Sequence, residues 1–140
     1  MRATTMNAPV DLPLRSYPST PPTARAARNF VVAQLRRAAA SEDAVADFEL
    51  IVSELVTNSV QYGNGAEIVV GVDAVTGDWY TVSISSGVDG ALPPLDPTSW
   101  TVADAEMRSG RGLGIVHSLA DDISVAVNDG RLVIVCRRRR

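Results

Sequence analysis

Cysteine, histidine and lysine are nearly missing from this chain, and each shortage excludes a class of chemistry. One cysteine, Cys136, allows no disulfide framework and no thiolate metal cluster. It closes the apolar run Leu132-Val133-Ile134-Val135-Cys136 and reads as an inert packed residue. His117 is the only histidine, so a zinc site would need several carboxylates, and the sequence shows no such cluster. Lysine is absent altogether; all thirteen basic residues are arginines, against sixteen acidic ones. The net charge of −3 argues against a general nucleic-acid binder. No apolar run reaches membrane-spanning length, and the opening MRATTMNAPV lacks the apolar stretch of a signal peptide. The expectation is a cytoplasmic protein that contacts neither membrane nor nucleic acid directly. Four of the arginines close the chain at Arg137–Arg140 and read as a solvated end.

What is present suits one folded unit. A length of 140 residues with 46% hydrophobic content can bury a single core. Residues 1–9 are small and polar and read as a flexible leader, with one domain over 10–140. Val10–Arg15 alternates weakly around Pro13, which permits an edge strand only. A helix enters near Thr20 and carries Ala27, Phe30, Val31, Leu35 and Ala38 at helical spacing up to Ala40. Ser41 can cap a second helix, with Glu42 and Asp43 at the positive end of its dipole and a stop at Gly63. Ile68, Val70 and Val72 then alternate as a strand, as do Tyr80, Val82 and Ile84 after the turn Thr76-Gly77-Asp78.

Ser85–Ser109 is the longest irregular stretch, and a connection that long in a compact domain is functional or mobile as a rule. Trp100 inside it reads as an anchor. A short helix is expected from Gly112 to Ala120. Ile123, Val125 and Val127 then pair with Leu132, Ile134 and Cys136 through Asn128-Asp129-Gly130, a strong hairpin signal. This order predicts an α+β two-layer sandwich: a mixed, mostly antiparallel sheet of about five strands with helices on one face.

Two segments carry chemistry. In Ser53-Glu54-Leu55-Val56-Thr57-Asn58-Ser59, Glu54 and Asn58 are four apart and stack on one helix face. Asp47 and Gln61 extend this polar stripe along the edge of the apolar arc. There the amide oxygen of Asn58 can ligate Mg2+, and Glu54 can accept a proton from an attacking hydroxyl. The same spacing also describes an ordinary amphipathic helix with a wet face. The second segment, Arg108-Ser109-Gly110-Arg111-Gly112-Leu113-Gly114, opens into a helix. Its glycines admit backbone close to phosphates, and the helix start offers free N–H groups. It is neither a Walker loop nor a dinucleotide fingerprint, and a flexible connection fits it equally. Ser85-Ser86-Gly87-Val88-Asp89-Gly90, past a strand end, can wrap a base or simply turn the chain.

Taken together, these segments resemble the ATP-binding superfamily of gyrase and the histidine kinases (GHKL). The closer likeness is to its small branch, the anti-sigma factor serine kinases. Ser53–Val60 looks like the asparagine box, and Arg108-Ser109-Gly110-Arg111-Gly112 like the second glycine box. The resemblance implies ATP and Mg2+ as cofactors, with Glu54 as general base and Asn58 holding Mg2+. It brings Ser109, Gly110, Gly112 and Gly114 to the phosphates and Arg108 to the terminal phosphate or the partner. Ser86, Gly87 and Gly90 would border the base. It also implies an ATP-dependent serine/threonine kinase acting on an anti-sigma antagonist, a sigma factor as second partner, and a homodimer as a common assembly. One position departs from the pattern: Ser86 stands where the branch carries the aspartate that reads adenine, and Asp89 lies three residues on. That departure favours the alternative of a non-catalytic binding module with weak or lost nucleotide binding.

Overall fold

The computed structural model describes residues 13–90, 92–93, 95–100 and 108–140. The expected leader, and the start of the first strand at Val10, lie outside these residues. The elements run β1 (Leu14–Tyr17), α1 (Thr23–Arg37), α2 (Glu42–Tyr62), β2 (Ile68–Asp73), β3 (Trp79–Gly87), α3 (Arg108–Leu119), β4 (Asp122–Asn128) and β5 (Arg131–Arg139), with one 3-10 turn at Pro97–Ser99. The five strands form one sheet in the order β1-β2-β3-β5-β4, and every pairing is antiparallel. The expected two-layer α+β architecture is therefore present.

Alternation sorts the sheet into two faces. Val70, Ile84, Ile134 and Val125 lie across from one another in register, as do Val72, Val82, Cys136 and Ile123. Most of these are buried against the helices, where Phe48, Ile51, Val52 and Leu55 of α2 meet Phe30, Val31 and Leu35 of α1. Trp100 is only 3% exposed and joins this core, as an anchor should. No helix among the described residues is long and apolar enough to cross a membrane.

The helix ends are closed in different ways. Ser41 accepts from the Ala44 N–H at 3.1 Å and caps α2, whose first turn carries Glu42 and Asp43. Helix α1 ends at Arg37, short of the expected Ala40. Ala40 N–H donates to the Leu35 carbonyl and Ala39 N–H to the Arg36 carbonyl, both at 3.0 Å, which is a Schellman closure. Its left-handed position is Ala39, at φ 60°, where glycine is the usual occupant. Helix α2 does stop at Gly63, but for a different reason than a left-handed cap. Gly63 has φ −76°, and a Cβ there would come within 2.5 Å of the Ser59 carbonyl oxygen and 3.0 Å of that of Gly87.

Further boundaries differ from the sequence reading. Strand β3 continues through Ser85 and Ser86 to Gly87, because β5 offers Val133, Leu132 and Arg131 as partners. Helix α3 begins at Arg108 instead of near Gly112, with Leu113 and Val116 buried in the core. Packing of this face offsets the poor helix propensity of its glycines. The terminal arginines are not a solvated end: β5 runs to Arg139 and each of them has a partner. Arg137 pairs with Asp122 at 3.1 Å and Arg138 with Asp47 at 2.8 Å. Arg139 lies over the Trp79 ring, while Arg140 lies over Tyr80 and donates to the Ala74 and Gly77 carbonyls. The β4–β5 hairpin turns through Asp129 (φ 51°) and Gly130 (φ 76°), the paired positive angles of a primed turn.

Candidate functional site

Helix α2 carries Glu54 and Asn58 one turn apart, both half-buried at the margin of the core. Ile51 and Leu55, on the adjoining arc of the helix, are buried in the core, and α3 packs against α2 beside this margin. Gly112 of α3 meets it directly. A Cβ built on Gly112 would lie 2.6 Å from Glu54 Oε1 and 3.6 Å from Asn58 Nδ2. The missing side chain therefore lets backbone approach a carboxylate and a carboxamide together. Glycine is demanded here by proximity, not by backbone angle. The two sequence segments that carry chemistry thus converge at one point.

The polar stripe does not stay whole. Asp47, at its N-terminal end, is drawn to Arg138 of β5 and serves the fold. Ser53, next to Glu54, turns the other way: its hydroxyl donates to the Glu49 carbonyl and accepts from Arg28 of α1 at 2.9 Å. Glu54 and Asn58 are left facing α3. Arg108, Ser109 and Gly110 fall in the first turn of α3, and Gly114 is buried further along it.

At the end of β3, Ser86 lies in register with Leu132 on the helix-facing side. It is only 3% exposed, and among the described residues its hydroxyl has no hydrogen-bond partner. A buried hydroxyl without a partner is unusual and marks a place where a polar ligand atom can be received. Gly87 follows it, and a Cβ there would come within 2.3 Å of Asn64 Oδ1 and 2.7 Å of the Ala66 Cβ. Gly87 therefore closes the sheet against the α2–β2 connection. Gly90 has open space around it.

Asn64 was not singled out in the sequence, where Asn-Gly after a helix reads only as a turn. It is the clasp of this corner. Its N–H donates to the Gly87 carbonyl at 2.9 Å, its Nδ2 to Asp89 Oδ1 at 2.9 Å, and its Oδ1 accepts from the Ala66 N–H at 3.0 Å. Asp89 is thus held at the exposed surface by Asn64 and is not turned toward Ser86's interior position.

Elsewhere the described residues offer no rival centre. No group of three or more His, Cys, Asp or Glu that could hold a metal occurs among them. Cys136 is fully buried, and burial, followed by the charge of Asp122, pushes its thiol up to about 12. It is inert, as its position in the apolar run suggests. Asp96 is held below the usual carboxylate range by the Thr98 hydroxyl and N–H, and caps the 3-10 turn.

Comparison with known proteins bears on the family and on the fold. A family model described as the histidine kinase-like ATPase domain matches residues 17–137. No curated protein matches the chain. Among solved structures, the RsbU and RsbW domains of Rv1364c from Mycobacterium tuberculosis superpose with a TM-score of 0.66 at 20% identity. The match covers 94% of this chain but 32% of the other, so the present chain spans about a third of that protein's length. At that identity the likeness speaks for the fold.

Proposed function

Since the chain belongs to the histidine kinase-like ATPase domain family, we propose that it is an ATP-binding anti-sigma factor. In this reading it phosphorylates a serine or threonine of an antagonist protein and sequesters a sigma factor. One observation carries the reading: Glu54 and Asn58 converge on the glycine backbone of Gly112. The likeness of both sequence boxes to the anti-sigma kinase branch, and the structural likeness to an RsbW domain, support it.

The donor set suits Mg-ATP. Asn58 offers a neutral amide oxygen, and Mg2+ takes few protein oxygens because it keeps phosphate and water ligands. Bound Mg-ATP supplies the transferable γ-phosphoryl group and the cation that offsets charge on its oxygens. The chain's own residues do the rest. Glu54 holds its carboxylate beside the start of α3, where it can take the proton of an incoming serine hydroxyl. Gly112 keeps the side of α3 that faces Glu54 and Asn58 free of a side chain, and the α3 N-terminus offers backbone N–H groups to an anion. Arg108, Ser109 and Gly110 complete that end in the proposed reading, while Ser86, Gly87 and Gly90 border the base.

One observation favours a second reading, a binding module without catalysis. The buried group at the proposed base end is a neutral hydroxyl, Ser86, and Asp89 is committed to Asn64. A hydroxyl holds an amine less firmly than a carboxylate does. The test is transfer of labelled γ-phosphate from ATP to a cognate antagonist. The kinase reading expects labelling that Glu54→Gln abolishes. Nucleotide binding with no labelling of any antagonist supports the module, and labelling undiminished by Glu54→Gln removes Glu54 from the chemistry.

A further inference from the structure

Around the end of β3 the polar groups are bound to one another. Arg131 of β5 donates to the Ser85 hydroxyl at 3.1 Å, to the Ser85 carbonyl at 3.0 Å and to the Glu67 carbonyl at 2.8 Å. Asn64 engages Asp89 and the Ala66 N–H through its side chain, and the Gly87 carbonyl through its own N–H. The Val88 N–H donates to the Gly130 carbonyl at 2.9 Å. Ser86 stands apart from this network. Alternation sets it on the same face as the buried Val82 and Ile84, and its buried hydroxyl has no partner among the described residues. The corner adjoins the C-terminal end of α2, where a Cβ on Gly63 would lie 3.0 Å from the Gly87 carbonyl oxygen. That is little more than a helical turn beyond Asn58.

We propose that Ser86 makes the base end of the site indifferent to the group at position 6 of a purine, so that 6-amino and 6-oxo purine nucleoside triphosphates bind alike. The inference rests on the nucleotide reading of the site and specifies its substrate class. A hydroxyl is donor and acceptor at once, and its hydrogen rotates to suit the ligand. It accepts from a 6-amino group or, turned about its C–O bond, donates to a 6-oxo group. A carboxylate in the same place only accepts, so it binds the amine through a charge-assisted bond and repels the oxo oxygen.

Strong discrimination between such analogues needs a polar group fixed as donor or acceptor, which the wrong ligand leaves unpaired. No side chain beside Ser86 supplies one among the described residues. Its neighbours Ile84 and Leu132 are apolar and buried. The nearest carboxylate along the chain, Asp89, is exposed and held by Asn64.

Calorimetry in Mg2+ with ATP and with inosine triphosphate tests this, because the two bases differ only at position 6 and in the N1 proton that accompanies it. Inorganic triphosphate is the control. The native protein is expected to bind both nucleotides with Kd values within about threefold of each other. Ser86→Asp is expected to favour ATP by about tenfold or more while its affinity for triphosphate stays unchanged. Ser86→Ala, which adds neither charge nor bulk, is expected to weaken both nucleotides equally. Melting temperatures check that each variant is folded; if Ser86→Asp is not, the native and Ser86→Ala comparisons decide. A native preference beyond about threefold for either nucleotide, a folded Ser86→Asp with the native ratio, or a loss in Ser86→Ala confined to one nucleotide would each overturn the proposal and leave the nucleotide site standing. A native protein that binds neither nucleotide would overturn the nucleotide reading, and this inference with it.

Discussion

Glu54 and Asn58 occupy equivalent places on α2, yet their proposed tasks separate cleanly under substitution. Glu54→Gln keeps shape and hydrogen bonding but loses the base, so transfer should fall by ~10²–10⁴-fold while nucleotide binding persists. Parallel measurement of antagonist labelling and nucleotide affinity checks this; loss of both together would point to a binding role instead. In the proposed reading Ser86 bears on affinity at the other end of the site. Ser86→Asp should tighten ATP binding by up to about tenfold, the effect of a charge-assisted bond over a neutral one. Affinity for inorganic triphosphate should barely change, which separates a base contact from a general charge effect. Equal or weaker ATP binding by the variant, read by calorimetry, would remove Ser86 from the base.

The elements show where local chemistry decided the structure and where it was overruled. The span and cap of α2, the β4–β5 hairpin and the burial of Trp100 were all legible, because each rests on a local signal: a capping serine, Asn-Asp-Gly, a large apolar ring. The end of α1 was not, since Ala38–Ala40 continue the helical pattern and nothing in their chemistry announces a left-handed alanine. Ala39→Gly should therefore stabilise the protein by about 0.5–1 kcal/mol, read as a raised midpoint in denaturant. A lowered midpoint would mean that the Ala39 methyl packs usefully. The four terminal arginines misled for the opposite reason. A charge run looks solvated until the partners Asp122, Asp47, Trp79 and Tyr80 are brought near by pairing far along the chain. Deleting residues 137–140 should destabilise the fold by on the order of 2 kcal/mol or more, summing ion pairs and ring contacts. An unchanged melting temperature would restore the solvated-end reading.

At the scale of the whole molecule, the sheet positions two helices so that separate sequence segments meet. Each box could be read alone as an amphipathic helix or a flexible connection, and no local signal distinguishes these from a site. Convergence at Gly112 is a tertiary fact, produced by the packing of α3 on α2. The clasp at Asn64 was illegible for the same reason, since its partners Gly87 and Asp89 lie on another element. The proposed function requires this meeting point to hold a magnesium nucleotide. Calorimetric titration with ATP, with and without Mg2+, on the native protein and on Asn58→Ala tests it most directly. Asn58 is half-buried and borders the core without filling it, so the variant should keep its fold and melting temperature. A magnesium-nucleotide site gives Mg2+-dependent ATP binding by the native protein and its loss in Asn58→Ala; binding of equal strength by both, or heat of binding indifferent to Mg2+, would contradict it.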